Sequence, residues 1–239
     1  SCERQMQMNA APARASHAPA TILERRDAGG VTTLTLNDPA SRNSLSEAML
    51  AALSQTFTGI AADRSVRAVV LTAVGPCFSS GHNLKEMTAR RADADRGRAY
   101  YADMMKRCAT MMQQIVNLPQ PVIAAVQGLA TAAGCQLVAT CDLAVASDQA
   151  RFCTPGVNIG LFCSTPMVAL SRNVAPKHAL ELLLTGDMIP ADDAFRMGLV
   201  NRVVPAGTEL GEAEALAARI AAKSTLTVKI GKRAFYRQM

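Results

Sequence analysis

"GLATAAGCQLVATCD", residues 128–142, follows a run of apolar residues, "PVIAAVQ" (121–127). The run reads as a buried strand, and the small residues after it as a turn that opens a helix. Gly and Ala at such a turn admit four readings. They can cradle a phosphate, carry a cysteine nucleophile at Cys135, place backbone N–H groups on an oxyanion, or only let a helix pack close to a sheet. A second loop shares this design: "SSGHNLKEM" (79–87) comes soon after "RAVVLTA" (67–73) and also runs into a helix. A helix start offers unpaired N–H groups and the positive end of the helix dipole. Two such starts facing one another place two donors on one oxygen. Neither loop matches GxxxxGK[ST] or GxGxxG, and no GxSxG occurs. Cys135 has no histidine near it in sequence. The oxyanion and packing readings both stay open on pattern alone.

The chain outward from this stretch is α/β. "TILERR" and "VTTLTLN" flank "DAGG" as a hairpin, and "SEAMLAALSQTFTGIAAD" is a helix, with Ser44 and Glu47 at capping-box spacing. A helix within 88–117 carries Tyr101, Met104, Met105, Cys108, Met111 and Met112 as its apolar stripe. "DLAVAS" (142–147) is a strand and "ARFCTP" (150–155) is short and extended. Helices follow around 163–174, 176–184 and 191–197; a strand lies in 198–205; helices close the chain at 207–223 and 225–239. Strands alternating with helices predict a mostly parallel sheet. The organisation expected is a flexible arm over 1–20, a β/α core over 21–190 and a helical region over 191–239. The arm has no apolar core of a secretion signal, its arginines hint at a transit peptide, and Met8 is a candidate start.

Composition narrows the function. Of 239 residues 49% are hydrophobic, which suits a globular core, and no apolar run reaches the length of a membrane span. The net charge is +6, with 4% aromatics and no Trp, so a small polyanion fits better than nucleic acid. The seven cysteines (2, 77, 108, 135, 141, 153 and 163) form no CxxC and read as reduced, mostly core thiols. His17, His82 and His178 are scattered, which argues against a metal site.

Four segments in order resemble the crotonase superfamily, the enoyl-CoA hydratase/isomerase family. They are "NDPASRNSLS", "RAVVLTAVGPCFSSGHNLKEM", "QPVIAAVQGLATAAGCQLVATCDLAVASDQARFCTPGVNIGL" and "LLLTGDMIPADDAFRMGLVNRVVP". Within it, "SSGHNLKEM", "TAAGCQLVA" and "TPGVNIGLFCSTP" look most like the branch named enoyl-CoA hydratase domain-containing protein 3. The resemblance implies a spiral of ββα units with a helical C-terminal trimerisation region, and a homotrimer or a hexamer built of two trimers. It implies an acyl-CoA ligand, with coenzyme A as part of the substrate and no other cofactor or metal. The thioester carbonyl would lie between the backbone N–H groups of His82 and Ala133. The loop Ser80, His82, Asn83 and Leu84 would meet the adenine end of coenzyme A, and Arg42 and Lys85 its phosphates. Localisation would be cytoplasmic for a bacterial chain and mitochondrial for a eukaryotic one.

The sequence departs from the hydratases of this family at two positions. Where they carry a catalytic glutamate pair, this chain has Gln136 and Gly156. An amide does not exchange a proton near neutral pH, and glycine has no side chain. Gln136 remains a candidate for holding a water or a substrate polar group, and the His82 ring for acid/base work. Asn158, Cys163, Ser164 and Thr165 lie in a segment that supplies decisive side chains elsewhere in the family. The expected function is an acyl-CoA-processing enzyme of the hydratase type. The alternatives are a non-catalytic acyl-CoA binder and another crotonase reaction, decarboxylation or thioester hydrolysis. Relatives continue past "KRAFYRQM" with a further helical segment, so a lid beyond Met239 or a more open acyl pocket is expected.

Overall fold

A hairpin begins the described part of the chain. The computed structural model describes residues 21–239. In it β1 (Leu23–Ala28) and β2 (Val31–Leu36) pair antiparallel around Gly29 and Gly30, both at positive φ. Glycine adopts such angles without a Cβ penalty, and this is what "DAGG" supplies. Helix α1 (Glu47–Ala62) buries Met49, Leu50, Leu53, Phe57 and Ile60. Its cap differs from the expected Ser44–Glu47 box. Ser46 is the cap and accepts from Met49 N, while Ser44 Oγ donates to Ser41 Oγ at 3.0 Å. Glu47 is the first helical residue, and its N–H donates to the Glu86 carboxylate at 3.0 Å.

The next segments repeat one pattern. Strand β3 (Ala68–Ala73) leads to the short β4 (Cys77–Ser79) and then to α2 (Leu84–Ala89) and α3 (Arg98–Asn117). Strand β5 (Val122–Val126) leads to β6 (Leu129–Thr131) and α4 (Ala133–Thr140). Strand β7 (Leu143–Ser147) leads to β8 (Arg151–Cys153), then α5 (Ser164–Asn173) and α6 (Pro176–Thr185). The chain ends with β9 (Ile189–Pro190), α7 (Ala191–Met197), β10 (Arg202–Val204), α8 (Glu209–Ala221) and α9 (Thr225–Gln238). In each repeat the first strand joins a six-stranded sheet, order β1-β2-β3-β5-β7-β10. The second joins a four-stranded sheet, order β4-β6-β8-β9. Apart from the β1–β2 and β8–β9 pairs the strands are parallel. This is the expected ββα spiral.

The large sheet is covered on both faces, as parallel sheets require. One face carries the main core with α1, α3 and α4. On the other, Ala213, Ala217 and Ala221 of α8 pack on Val31, Ala68, Val70, Ile123, Ala125 and Val145. Small residues let α8 lie close. Met104, Cys108, Met111 and Met112 of α3 are buried as expected, whereas Tyr101 is only half-buried. Its hydroxyl donates to Met87 O at 2.7 Å, which gives the phenol a partner near the surface.

Helix α9 is tied down by a buried charge. Asp142 accepts from Val122 N, from Lys232 Nζ at 2.7 Å and from Tyr236 OH at 2.8 Å. Lys232 also donates to the carbonyls of Ile115 and Gln120. No helix among the described residues is long and apolar enough to cross a membrane. The expected arm over 1–20, with Cys2 and His17, lies outside the described residues.

Candidate active site

The opening stretch is built for close approach. A Cβ on Gly128 would stand 2.1 Å from Pro76 O, and one on Gly134 2.1 Å from Ser79 O. These two glycines let the β6–α4 turn press against β4 and its flanks. Tight packing and donor placement are therefore the same feature. The packing carries the loop after β4 onto the start of α4.

Gly81 marks the contact. It sits at φ +81°, and a Cβ there would lie 3.0 Å from Ala133 N and 3.0 Å from Thr131 O. Its other side is held by Leu45 N, which donates to Gly81 O at 2.7 Å. Ser80 N donates to Arg42 O at 3.0 Å, and Ser80 Oγ to Ser41 O at 3.3 Å. The structure thus brings Arg42, Ser80, His82 and Ala133 to one place. Ala133 is the first residue of α4 and is buried. Neither its N–H nor that of His82 has a hydrogen-bond acceptor among the described residues. Ala132 before it holds φ 51° and ψ −120°, an angle pair that costs a residue with a Cβ about 1–3 kcal/mol. That strain turns the chain from β6 into α4 and is spent where the free N–H begins.

The remaining candidates are placed as follows. Asn83 caps α2, its Oδ1 accepting from Lys85 N and Glu86 N, so that oxygen is already engaged. Leu84 and Lys85 are exposed at the start of α2, and Arg42 is exposed as well. His82 is half-buried, and both ring nitrogens are shielded from solvent without a partner among the described residues. Burial holds its pKa below the ordinary 6.5, opposed by the Leu45 backbone. The ring is therefore neutral at pH 7. Gln136 is buried one turn into α4, with Oε1 unpartnered among the described residues.

Gly156 lies in the turn Pro155–Ile159 that follows β8. A Cβ there would stand 2.7 Å from Leu161 O and 2.8 Å from Cys163 Sγ. The space a side chain would need is already filled by the turn itself, where Leu161 N donates to Gly156 O at 2.9 Å. The thiols offer no ready nucleophile. Cys135 is fully buried and burial pushes its pKa up, as it does at half-buried Cys163.

Sequence reasoning missed several contributors. Asn43 is buried at φ 51° and donates to Val74 O and Cys77 O, which fixes the segment under Ser80. Asn is among the few residues that take this conformation, and that was its available signal. The strain at Ala132 had no signal, because alanine does not advertise a positive φ. Asp142, read as a residue beside a strand, gains its partners from α9, ninety positions away.

Comparison with known proteins fits this arrangement. The Enoyl-CoA hydratase/isomerase family model matches residues 26–239. The chain is 49% identical over 223 residues to enoyl-CoA hydratase domain-containing protein 3, mitochondrial, of Xenopus laevis, covering 93% of this chain and 74% of that protein. The Homo sapiens protein of the same name is 47% identical over 214 residues, covering 90% and 69%. Among solved structures, an enoyl-CoA hydratase of Mycobacterium smegmatis superposes with a TM-score of 0.85 at 55% identity, covering 91% of this chain and 83% of that one. Human enoyl coenzyme A hydratase domain-containing protein 3 superposes with a TM-score of 0.85 at 47% identity, covering 91% and 84%. The chain belongs to the enoyl-CoA hydratase/isomerase family, the crotonase superfamily, and groups there with the domain-containing protein 3 branch.

Proposed function

We propose that the protein is an acyl-CoA-processing enzyme that holds a thioester carbonyl between the N–H groups of His82 and Ala133. The observation that carries this is the pair of free N–H groups on backbones pressed together at Gly81. Charge that develops on the carbonyl oxygen as an enolate forms is stabilised by both donors. One such donor is worth roughly 10²–10³ in rate. The strain at Ala132 and the absence of a Cβ at Gly81 pre-set the donors, so little reorganisation is needed as charge appears. Arg42 and Lys85, both exposed and without an ion pair among the described residues, meet the phosphates of coenzyme A. Ser80, His82, Asn83 and Leu84 border its adenine end.

Proton transfer is what this site lacks. Gln136 orients a water or a substrate oxygen and cannot act as a base. Gly156 contributes backbone and no carboxylate. A positioned acid or base is worth about 10²–10⁴ in rate, so hydration is slow or absent here. Decarboxylation suffers least, because cleavage of the carbon–carbon bond delivers the enolate electrons without removal of an α-proton. The crowding at Gly156 also favours a second reading, an acyl-CoA binder without turnover.

We further propose a homotrimer or a hexamer of two trimers, supported by the exposed Phe162, Met167, Leu180, Leu184, Met188 and Phe195. A mitochondrial location for a eukaryotic chain is supported by the word mitochondrial in the names of its relatives; a bacterial chain would be cytoplasmic.

The test is a panel of crotonyl-CoA, longer enoyl-CoAs, malonyl-type CoAs and saturated acyl-CoAs. Products are followed by mass spectrometry and stability by thermal shift. Stabilisation by acyl-CoAs with little hydration is expected. Hydration of crotonyl-CoA at an ordinary hydratase rate would overturn the argument from Gln136 and Gly156. No stabilisation by any acyl-CoA would overturn the coenzyme A site itself.

A further inference from the structure

Helix α2, which follows the His82 peptide, has no fully buried residue, and Met87 packs only partly against the core. A helix of six residues with so little packing does not hold its own place. Polar ties must supply the rest. At its far end Tyr101 OH donates to Met87 O at 2.7 Å. Near its start the half-buried Glu86 reaches out of the helix, and its Oε2 accepts from Glu47 N of α1 at 3.0 Å. The Glu86 carboxylate makes no other hydrogen bond and no ion pair among the described residues.

That bond closes a ring around the His82 peptide. Glu47 is the first residue of α1 and follows Leu45 and the cap Ser46. Leu45 N donates to Gly81 O at 2.7 Å, and Leu45 pairs with His82 in an isolated parallel bridge. The ring runs from Leu45 to Glu47, across to Glu86, and back along the first turn of α2 to His82. Backbone pairing holds one side of the peptide and a single carboxylate holds the other. The carboxylate also takes one of the N–H groups that the start of α1 leaves unpaired, where its negative charge is favoured. Contact with Ala133 fixes how close Gly81 lies. The Glu86 tie fixes how the turn after Gly81 is rotated, and so where the His82 N–H points.

We infer that Glu86 is a positioning residue for the carbonyl site: by tying α2 to the start of α1 it directs the His82 N–H at the thioester oxygen. The inference rests on the acyl-CoA reading above and deepens it. The two donors are then set by different means. Packing and the strain at Ala132 set the Ala133 N–H, and a carboxylate bonded to another helix sets that of His82.

Calorimetric titration of the full chain with butyryl-CoA and with its thioether analogue S-butyl-CoA tests this. In Glu86→Ala the preference for butyryl-CoA is expected to fall from about tenfold to about threefold, as one of two hydrogen bonds is misdirected. Affinity for S-butyl-CoA is expected to stay as it was. Glu86→Gln, whose amide oxygen still accepts from Glu47 N, is expected to keep most of the preference. Tyr101→Phe removes the tie at the other end of α2 and is expected to lower the melting temperature with the preference intact. Infrared spectra of carbonyl-labelled butyryl-CoA supply a second readout: Glu86→Ala should move the bound carbonyl band toward its free position. Folding is checked by circular dichroism. Where Glu86→Ala does not fold, Glu86→Asp, which withdraws the acceptor by one methylene, takes its place with the same outcomes. An unchanged preference overturns the inference, as does equal weakening of both ligands, which marks a merely structural role. A Tyr101→Phe variant that loses the preference as fully overturns it too. Equal affinities in the unsubstituted protein are a different result, and remove the carbonyl reading together with the inference.

Discussion

At Gly81 the backbone conformation and the proposed site are the same thing. Gly81→Ala adds a Cβ 3.0 Å from Ala133 N at a φ of +81°. The expected loss is about 1–3 kcal/mol of stability. Acyl-CoA affinity should fall at least tenfold as the two loops part, read by denaturant unfolding and calorimetry; unchanged affinity would separate this contact from binding. Gly156 corrects a simpler expectation. From sequence alone, Gln136→Glu with Gly156→Glu should raise hydration by restoring both carboxylates. With Leu161 O and Cys163 Sγ under 3 Å from the new Cβ, the pair is expected to lose stability and gain little hydration, measured by melting and by crotonyl-CoA turnover. A large gain would show that the turn yields. His82 gives a pH signature. Its folded pKa lies below 6.5, so the unfolded chain binds the proton more readily. Stability due to the neutral ring is therefore full above the unfolded value and falls on acidification. Between roughly pH 7 and pH 5, the His82→Asn variant should lose less stability than the unsubstituted protein. Parallel slopes would contradict the buried neutral ring.

Among the elements, α9 depends on a single buried carboxylate. The Lys232 and Asp142 side chains are 7% and 13% exposed, so water screens the pair little. Burial outweighs the carboxylate and lowers the Lys232 pKa, which marks how much an unpartnered ammonium would cost. Asp142→Asn leaves that charge buried without its counter-ion, at a cost of about 3–5 kcal/mol. Hydrogen exchange should then show α9 opening before the sheet; uniform protection along the chain would count against a local anchor. Long elements were legible in the sequence: the buried runs of β3, β5 and β7 and the methionine stripe of α3 have clear periods. Strands β4 and β6 were read as loop and turn, because three residues rich in small side chains show no alternation. Of the site, the small-residue loops and the glutamine were legible. The contact of Gly81 with Ala133 was not, since it joins segments far apart in the chain, and the filled turn at Gly156 was not, since it depends on the path taken by the residues just after it.

In the whole molecule, alternation between a six-stranded and a four-stranded sheet turns three short ββα repeats into a wall of helix starts and loops. That arrangement places Ala133 beside Gly81. On the proposed function, rate enhancement comes from the fixed donors, and the lack of a carboxylate at Gln136 and Gly156 restricts which reactions those donors serve. The claim reduces to whether a thioester carbonyl is what the two N–H groups bind. Calorimetric titration with butyryl-CoA and with S-butyl-CoA, the thioether that lacks the carbonyl oxygen, asks this directly. Two hydrogen bonds at about 0.5–1.5 kcal/mol each predict butyryl-CoA to bind about tenfold tighter; equal affinities would contradict the account.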